Sequence, residues 1–267
     1  MNKIRQIVAY VRHFLTAWNT TGEAIHSPYL FRLVRFDMRD RNPFYCFADI
    51  ERQRDLLLVC DDTLDVVDYG SAGSPQGLHV ERRVCDIART HLESPKMAQL
   101  LFRILHFMHE EKNRPLEILE LGTSFGVTTA YLASADSRDR VTTLEGSESV
   151  LRIAQGVWRT LKLENIEWHE GNIDDTLYIY AREHLDFAYI DANHTCDATL
   201  RYADYLLPRM NEKGIIAIDD IHYSDEMEQA WKTLKQDPRV TTSMDLYYMG
   251  LLFVDTHYLK RHYRIRI

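Results

Sequence analysis

Residues Leu116–Gly126 read LEILELGTSFG: an apolar run stops at Gly122, a second glycine stands at Gly126, and Thr128-Thr129 follows as a helix opening. The run has the length and composition of a buried strand, Gly122 lets the chain turn sharply, and Gly126 lets backbone and helix come close to a ligand. Twenty-five positions after Glu120, a second run, Val-Thr-Thr-Leu-Glu145-Gly146, again ends in an acid. Strand, glycine turn, helix, strand and acid form a frame for a nucleotide-like molecule, the second acid accepting from both ribose hydroxyls.

The same rhythm continues outward. Apolar runs at Leu116–Leu121, Val141–Leu144, Ile166–His169, Leu185–Ile190, Gly214–Ile218 and Leu251–Val254 alternate with helix candidates at Thr128–Ser134, Glu148–Leu161, Ala198–Met210 and Asp225–Gln236. This alternation predicts an α/β, Rossmann-like, doubly wound and mostly parallel sheet with helices on both faces, which binds ligands at the carboxyl ends of its strands. Residues 1–95 lack the rhythm and read as a mainly helical segment ahead of a domain over 96–267, with Ser94-Pro95 starting a buried helix through Met97–His109. Within that first segment Leu56–Cys60 and Leu64–Tyr69 flank Asp61-Asp62-Thr63 as a candidate hairpin. Asp68–Gly73 imitates a glycine turn, but no helix comes directly after it, so it reads as a loop and a candidate lid. The basic Lys260–Arg266 reads as an edge strand with outward charges rather than an RNA contact.

Composition narrows the classes. The 267 residues are 45% hydrophobic and 27% charged, the proportions of a globular chain rather than a disordered one. A formal net charge of −8 disfavours a phosphate backbone, so no nucleic-acid partner is expected. Cys46, Cys60, Cys85 and Cys196 show neither paired nor zinc-type spacing and read as reduced thiols of a cytoplasmic protein. No apolar run reaches the ~20 residues of a membrane span. Ile4, Ile7, Val8, Val11, Phe14 and Leu15 do lie at helical spacing with Lys3, Arg5 and Arg12 around them. The expectation is a helix docked on the rest of the protein, with a membrane surface as the alternative.

The charge of the first turn selects among nucleotides. A pyrophosphate turn wants Gly-x-Gly-x-x-Gly, but Ser124 and Val127 stand at the second and third glycine positions, and Glu120 would repel a phosphate. The same acid attracts an ammonium, such as that on the methionine end of S-adenosylmethionine. Through Glu120-Leu-Gly122-Thr123-Ser124-Phe-Gly126, Glu145, Glu170-Gly-Asn172, Tyr189-Ile-Asp191 and Ile218-Asp219-Asp220, residues 95–255 resemble the class I S-adenosylmethionine-dependent methyltransferases. Within them the likeness is to the metal-dependent catechol and caffeoyl-CoA O-methyltransferases. The resemblance implies that Glu120, Gly122, Thr123, Ser124 and Gly126 hold the methionine part, that Glu145 and Gly146 hold the ribose, and that Asn172 lies near the adenine. Asp219–Trp231 also resembles a group of bacterial methyltransferase-like proteins to which no substrate attaches.

Asp191, Asp219 and Asp220 fall at strand ends, and the resemblance implies that their strands are neighbours. Three converging carboxylates repel one another unless a divalent cation neutralises them, and all-oxygen ligation suits Mg²⁺. The family usually has Asn at the third position, so Asp220 departs from it, and capping of the following segment is the plain alternative. Where the catechol-type enzymes carry a lysine base, three residues beyond Asp191, this chain has His194, whose imidazole titrates near neutrality. His194 is thus the candidate base, Asp191 its partner in catalysis and in cofactor binding, and His222 a second candidate contact. The expected activity is methyl transfer to a hydroxyl of a small-molecule acceptor, assisted by a divalent cation. The rivals are a metal-independent methyltransferase and a non-catalytic cofactor-binding module that engages a protein partner. A homo-oligomer is compatible with the sequence.

Overall fold

The computed structural model describes residues 3–69, 77–257 and 259–267, with side chains from residue 7 onward. Two compact units emerge, one of Met1–Asp40 with Arg182–Ile267, the other of Arg41–Ala181. They cut the chain differently from the expected division at residue 95. Residues 41–95 belong with residues 96–181 because Phe47, Ile50, Leu57 and Ile87 share one core with Phe125, Val127, Tyr131 and Trp158.

The first unit begins with α1 (Lys3–Thr16) and α2 (Pro28–Arg32), the latter running on into a π-helical turn, Leu33–Asp37. Ser27 caps α2 through its Oγ, with Pro28 at the first helical position, where a missing N–H costs nothing. The expected docking of the apolar face of α1 is not what the structure shows. Ile7, Val8, Val11, Phe14 and Leu15 are exposed, whereas His13 and Ala17 are buried. The helix is held by polar ties and ring contacts: His13 Nε2 donates to the Ile265 carbonyl at 3.3 Å, Arg264 Nη1 donates to Thr16 Oγ1 at 2.9 Å, and the Tyr10 ring packs edge-on against Tyr247 at 5.0 Å.

The second unit opens with α3 (Phe47–Leu58), so the run Leu56–Leu58 ends a helix and does not form the first strand of a hairpin. The correction comes from periodicity, since Phe47, Ile50, Arg54 and Leu57 are buried at helical spacing. β1 (Thr63–Asp68) pairs antiparallel with β2 (Leu78–Arg83), from Thr63 opposite Arg83 to Asp68 opposite Leu78. The loop read as a lid, Gly70–Pro75, lies outside the described residues.

Then come α4 (Val84–His91) and α5 (Pro95–Lys112). Ser94 caps α5, its Oγ accepting from Met97 N–H at 3.3 Å. Ser94→Ala should cost ~1 kcal/mol and lower Tm by about 2–4 °C; an unchanged melting curve would show that the cap contributes nothing.

The core of this unit is β3 (Glu117–Leu121), α6 (Val127–Ala133), β4 (Arg140–Glu145), α7 (Glu148–Leu161), β5 (Ile166–Glu170) and α8 (Ile173–Tyr180). β3, β4 and β5 are parallel, with Glu120 opposite Thr143 and Glu145 opposite Glu170.

The first unit resumes with β6 (Leu185–Ile190), α9 (Cys196–Leu206), β7 (Met210–Asp219), α10 (Asp225–Gln236), β8 (Thr242–Asp245), β9 (Met249–Phe253) and β10 (Arg261–Arg264). Helix α9 stops before the expected Met210 because Pro208 turns its end into a short 3₁₀ segment, Leu207–Arg209. The strand order here is β10-β8-β9-β7-β6. β6 and β7 are parallel, β9 runs against both β7 and β8, and β10 lies parallel to β8 at the edge. The expected basic edge strand is therefore present, with Arg261 and Arg264 exposed. Parallel neighbours joined by helices in both units make this an α/β, Rossmann-like fold. Among the described residues no helix is long and apolar enough to cross a membrane.

Candidate functional site

The glycine turn lies wholly in the second unit. Gly122 has φ +96° and Ser124 φ +49°, so the chain after β3 turns through the left-handed region twice. Gly126, at φ +71°, is glycine for another reason than ligand approach. A Cβ there would lie 2.5 Å from Trp158 Nε1 and 2.8 Å from Ala154 Cβ. Trp158 Nε1 donates to the Gly126 carbonyl at 2.9 Å, so this glycine admits α7 against the start of α6.

Glu120 is fully buried. Thr129 and Thr143 hydroxyls both donate to its Oε2, at 2.5 and 2.7 Å, and Thr123 Oγ1 lies 2.6 Å from Thr143 Oγ1. The acid is thus held by a hydroxyl chain linking β3, β4 and α6, a network that strand patterning alone does not reveal. Glu145 closes the turn from the next strand. Ser124 N–H donates to its Oε2 at 2.8 Å and Ser147 N–H to its Oε1 at 3.0 Å. The Ser124 hydroxyl is buried and makes no hydrogen bond, a polar atom set for a ligand group.

One neighbour escapes a reading of the sequence. The Tyr69 ring stands where a Gly146 side chain would go, 2.7 Å from the position of a Cβ, so the glycine after Glu145 seats this tyrosine. Asn172 is the N-cap of α8, its Oδ1 accepting from Asp174 N–H at 3.0 Å.

The second set of residues lies in the first unit. β6 and β7 are in register through Ile190 opposite Ile218, so Asp191 and Asp219 stand at neighbouring strand ends. His194 Nε2 lies 3.3 Å from Asp191 Oδ1, and Tyr189 donates its hydroxyl to Asp191 Oδ2 at 3.3 Å. Asn193 and His194 have φ +62° and +39°, and Asp220 has φ +55°, three non-glycine residues in the left-handed region. Such conformations cost ~1 kcal/mol or more each and gather at sites that need a fixed side-chain direction.

Burial alone would lower the His194 imidazole. The hydrogen bond and charge of Asp191, with the charge of Asp220, outweigh it and raise the group above its ordinary 6.5. The neutral fraction near pH 7 is therefore smaller than the sequence implied. Burial lifts the Asp220 carboxyl; the nearby His194 draws it back down while Asp191 pushes it up.

The three-carboxylate cation centre is not formed in this geometry. Among the described residues, the groups of three whose ligand atoms come within 4.8 Å of one another are His13–His222–Asp245 and Glu212–Asp255–His257. Asp191, Asp219 and Asp220 are not such a group. Their ligand atoms do not come together, so the residues as placed do not fit a cation held by all three acids. Nor do the aspartates cap a helix, because Ser224 caps α10. His222 lies elsewhere, between Glu228 and Asp245.

Residues 119–221 match a family described as a methyltransferase domain, a window that runs from β3 to just beyond β7 and holds Glu120, Glu145, Asp191, His194, Asp219 and Asp220 but neither Tyr69 nor His222. Over this stretch, less than half of the chain, the sequence is similar to methyltransferase domains. The fold agrees with solved methyltransferase structures. The O-methyltransferase from Bacillus cereus in complex with SAH superposes with TM-score 0.53 and 24% identity, over 62% of this chain and 84% of that one. The O-methyltransferase TomG from Streptomyces achromogenes, in complex with SAM, gives 0.54 and 17%, over 80% and 91%. Cofactor-bound Rv0187 from MTB gives 0.58 and 16%, over 82% and 93%. A search of the curated proteins finds no match. The matched window takes in residues of both compact units, and the resemblance read from the sequence holds for class and fold.

Proposed function

We propose that this protein uses S-adenosylmethionine to methylate a hydroxyl of a small molecule, with His194 as the base. The observation that carries the donor is the turn after β3. Its buried acid Glu120, the Glu145 carboxylate held by two backbone N–H groups, and the unmatched Ser124 hydroxyl are what a cationic, ribose-bearing ligand needs. When bound, the donor supplies an electrophilic methyl carbon on a sulfonium, so the protein mainly aligns and desolvates. Glu120 would attract the ammonium end, and Glu145 would accept from the ribose hydroxyls.

The acceptor side rests on His194. With Nε2–H donating to Asp191, the neutral ring presents a lone pair at Nδ1, which takes the hydroxyl proton as the oxygen forms its bond to carbon. Asp191 positions the ring and stabilises the imidazolium that results. Small-molecule hydroxyls suit a chain whose net charge of −8 disfavours nucleic acid.

Calorimetry with S-adenosylhomocysteine tests the donor: binding in the micromolar range is expected, and no heat at millimolar ligand would remove the methyltransferase reading. The rate should rise with pH through a midpoint above 6.5, because the base form appears only as the raised imidazole loses its proton. Asp191→Asn should move that midpoint down, since it removes the charge that raises it; an unmoved midpoint would separate His194 from the profile.

A second reading, the cation-assisted one, draws on the Asp191–Asp220 repulsion, which a divalent ion would relieve as well as His194 does. Activity in excess chelator decides between them. Full activity supports His194 alone, and loss restored by Mg²⁺ supports the cation.

A further inference from the structure

His13 of α1, His222 beyond β7 and Asp245 at the end of β8 meet in the first unit, far apart in sequence and outside the residues assigned to methyl transfer. His13 Nδ1 lies 3.3 Å from Asp245 Oδ1, and His222 Nε2 lies 3.2 and 3.1 Å from its two oxygens. All three ligand atoms fall within 4.8 Å of one another. His13 and Asp245 are buried.

The outer nitrogens decide what the inner ones can do. His13 Nε2–H donates to the Ile265 carbonyl at 3.3 Å, and His222 Nδ1 lies 3.4 Å from Glu228 Oε1. In the neutral His13 ring the nitrogen facing Asp245 is therefore a bare lone pair aimed at a carboxylate, and His222 Nε2 faces the same carboxylate. A lone pair and an anion at this range repel unless a positive charge stands between them, and a cation there would also take the His222 nitrogen as a ligand. The outer partners, a backbone carbonyl and a carboxylate, are those that orient imidazoles around a metal.

We infer that His13, His222 and Asp245 bind a divalent metal ion of the Zn²⁺ kind. Bonds of 2.0–2.1 Å in a tetrahedral site set ligand atoms about 3.3 Å apart. The two nitrogen-to-carboxylate separations already lie at 3.1–3.3 Å. Two imidazoles and one carboxylate suit a borderline ion rather than Mg²⁺. The three leave a fourth position beside a cavity of about 360 Å³, where Arg12, Lys232 and Lys235 also stand. Those cations favour water or an anionic oxygen there over a further acid.

The test uses the full chain, stripped with chelator and titrated with Zn²⁺ alone. One equivalent should bind, Asp245→Asn and His13→Ala should abolish it, and Glu228→Gln should weaken it by about tenfold. Asp191→Asn and His257→Ala should leave it intact, which keeps the result independent of the methyl-transfer reading and of the Glu212–Asp255–His257 group. Co²⁺ added to the unmodified protein should show the strong visible bands of four-coordinate ligation. No uptake, uptake that survives both Asp245→Asn and His13→Ala, uptake lost in Asp191→Asn or His257→Ala, or a weak six-coordinate Co²⁺ spectrum would each overturn the site. The spectrum needs no variant, so a substitution that fails to fold leaves the question decidable.

Discussion

Replacing His194 by alanine should lower turnover by about 10²–10⁴-fold and leave the affinity for S-adenosylhomocysteine within a factor of about two. The ring bonds to Asp191 and sits 6.3 Å from the Tyr223 ring; it has no part in the hydroxyl chain on Glu120. Its removal therefore takes away a proton acceptor without altering the turn after β3. The rate that remains should also lose its pH dependence, because the group that titrates is gone. Equal losses in turnover and in ligand affinity would mean that His194 is a binding or structural residue and would sink the base assignment.

Gly126→Ala should destabilise the protein by ~3 kcal/mol, the sum of a left-handed φ imposed on alanine and an overpacked contact. A Cβ at 2.5 Å from Trp158 Nε1 cannot be absorbed by a flexible chain end, since the indole is itself buried and bonded to the Gly126 carbonyl. At the size of this protein the change should lower Tm by about 6–12 °C. Trp158→Phe in the same background should recover part of that loss, as it removes the atom in conflict. If Gly126→Ala melted like the unmodified chain yet failed to bind the cofactor product, the glycine would be needed for ligand approach, as the sequence suggests, and the packing account would be wrong.

The elements most legible in the sequence were those whose local signals agreed. α7 and α10 run from Glu148 to Leu161 and from Asp225 to Gln236 as read, each with an acid in its first turn and a clear apolar face. β6 is apolar at almost every position, as a fully buried parallel strand must be. Leu56–Cys60 misled because five apolar residues in a row satisfy both periods, and only the buried face shared with Phe47 and Ile50 resolves them. β8, four residues with Thr and Asp at its ends, carries too little pattern to find. The placement of Glu120 and Glu145 about one turn was legible because the turn between strand and helix is local. The hydroxyls on Glu120, the Tyr69 ring on Gly146 and the cluster around Asp245 were not, since each joins residues from separate elements and chain pattern carries no such distance. The three acids that do not cluster are of the same kind: adjacency at strand ends was readable, but side-chain direction after a left-handed residue was not.

The first compact unit is built from the two ends of the chain, Met1–Asp40 and Arg182–Ile267. During synthesis its opening helices leave the ribosome long before the strands they belong with exist. At 5–20 residues per second the wait is ~10–45 s, spent with Leu30, Leu33 and Val34, which are buried in the finished fold, in water. Nascent chains should therefore depend on a holding factor at this stage, and moving residues 1–40 to the carboxyl end by circular permutation should relieve that dependence.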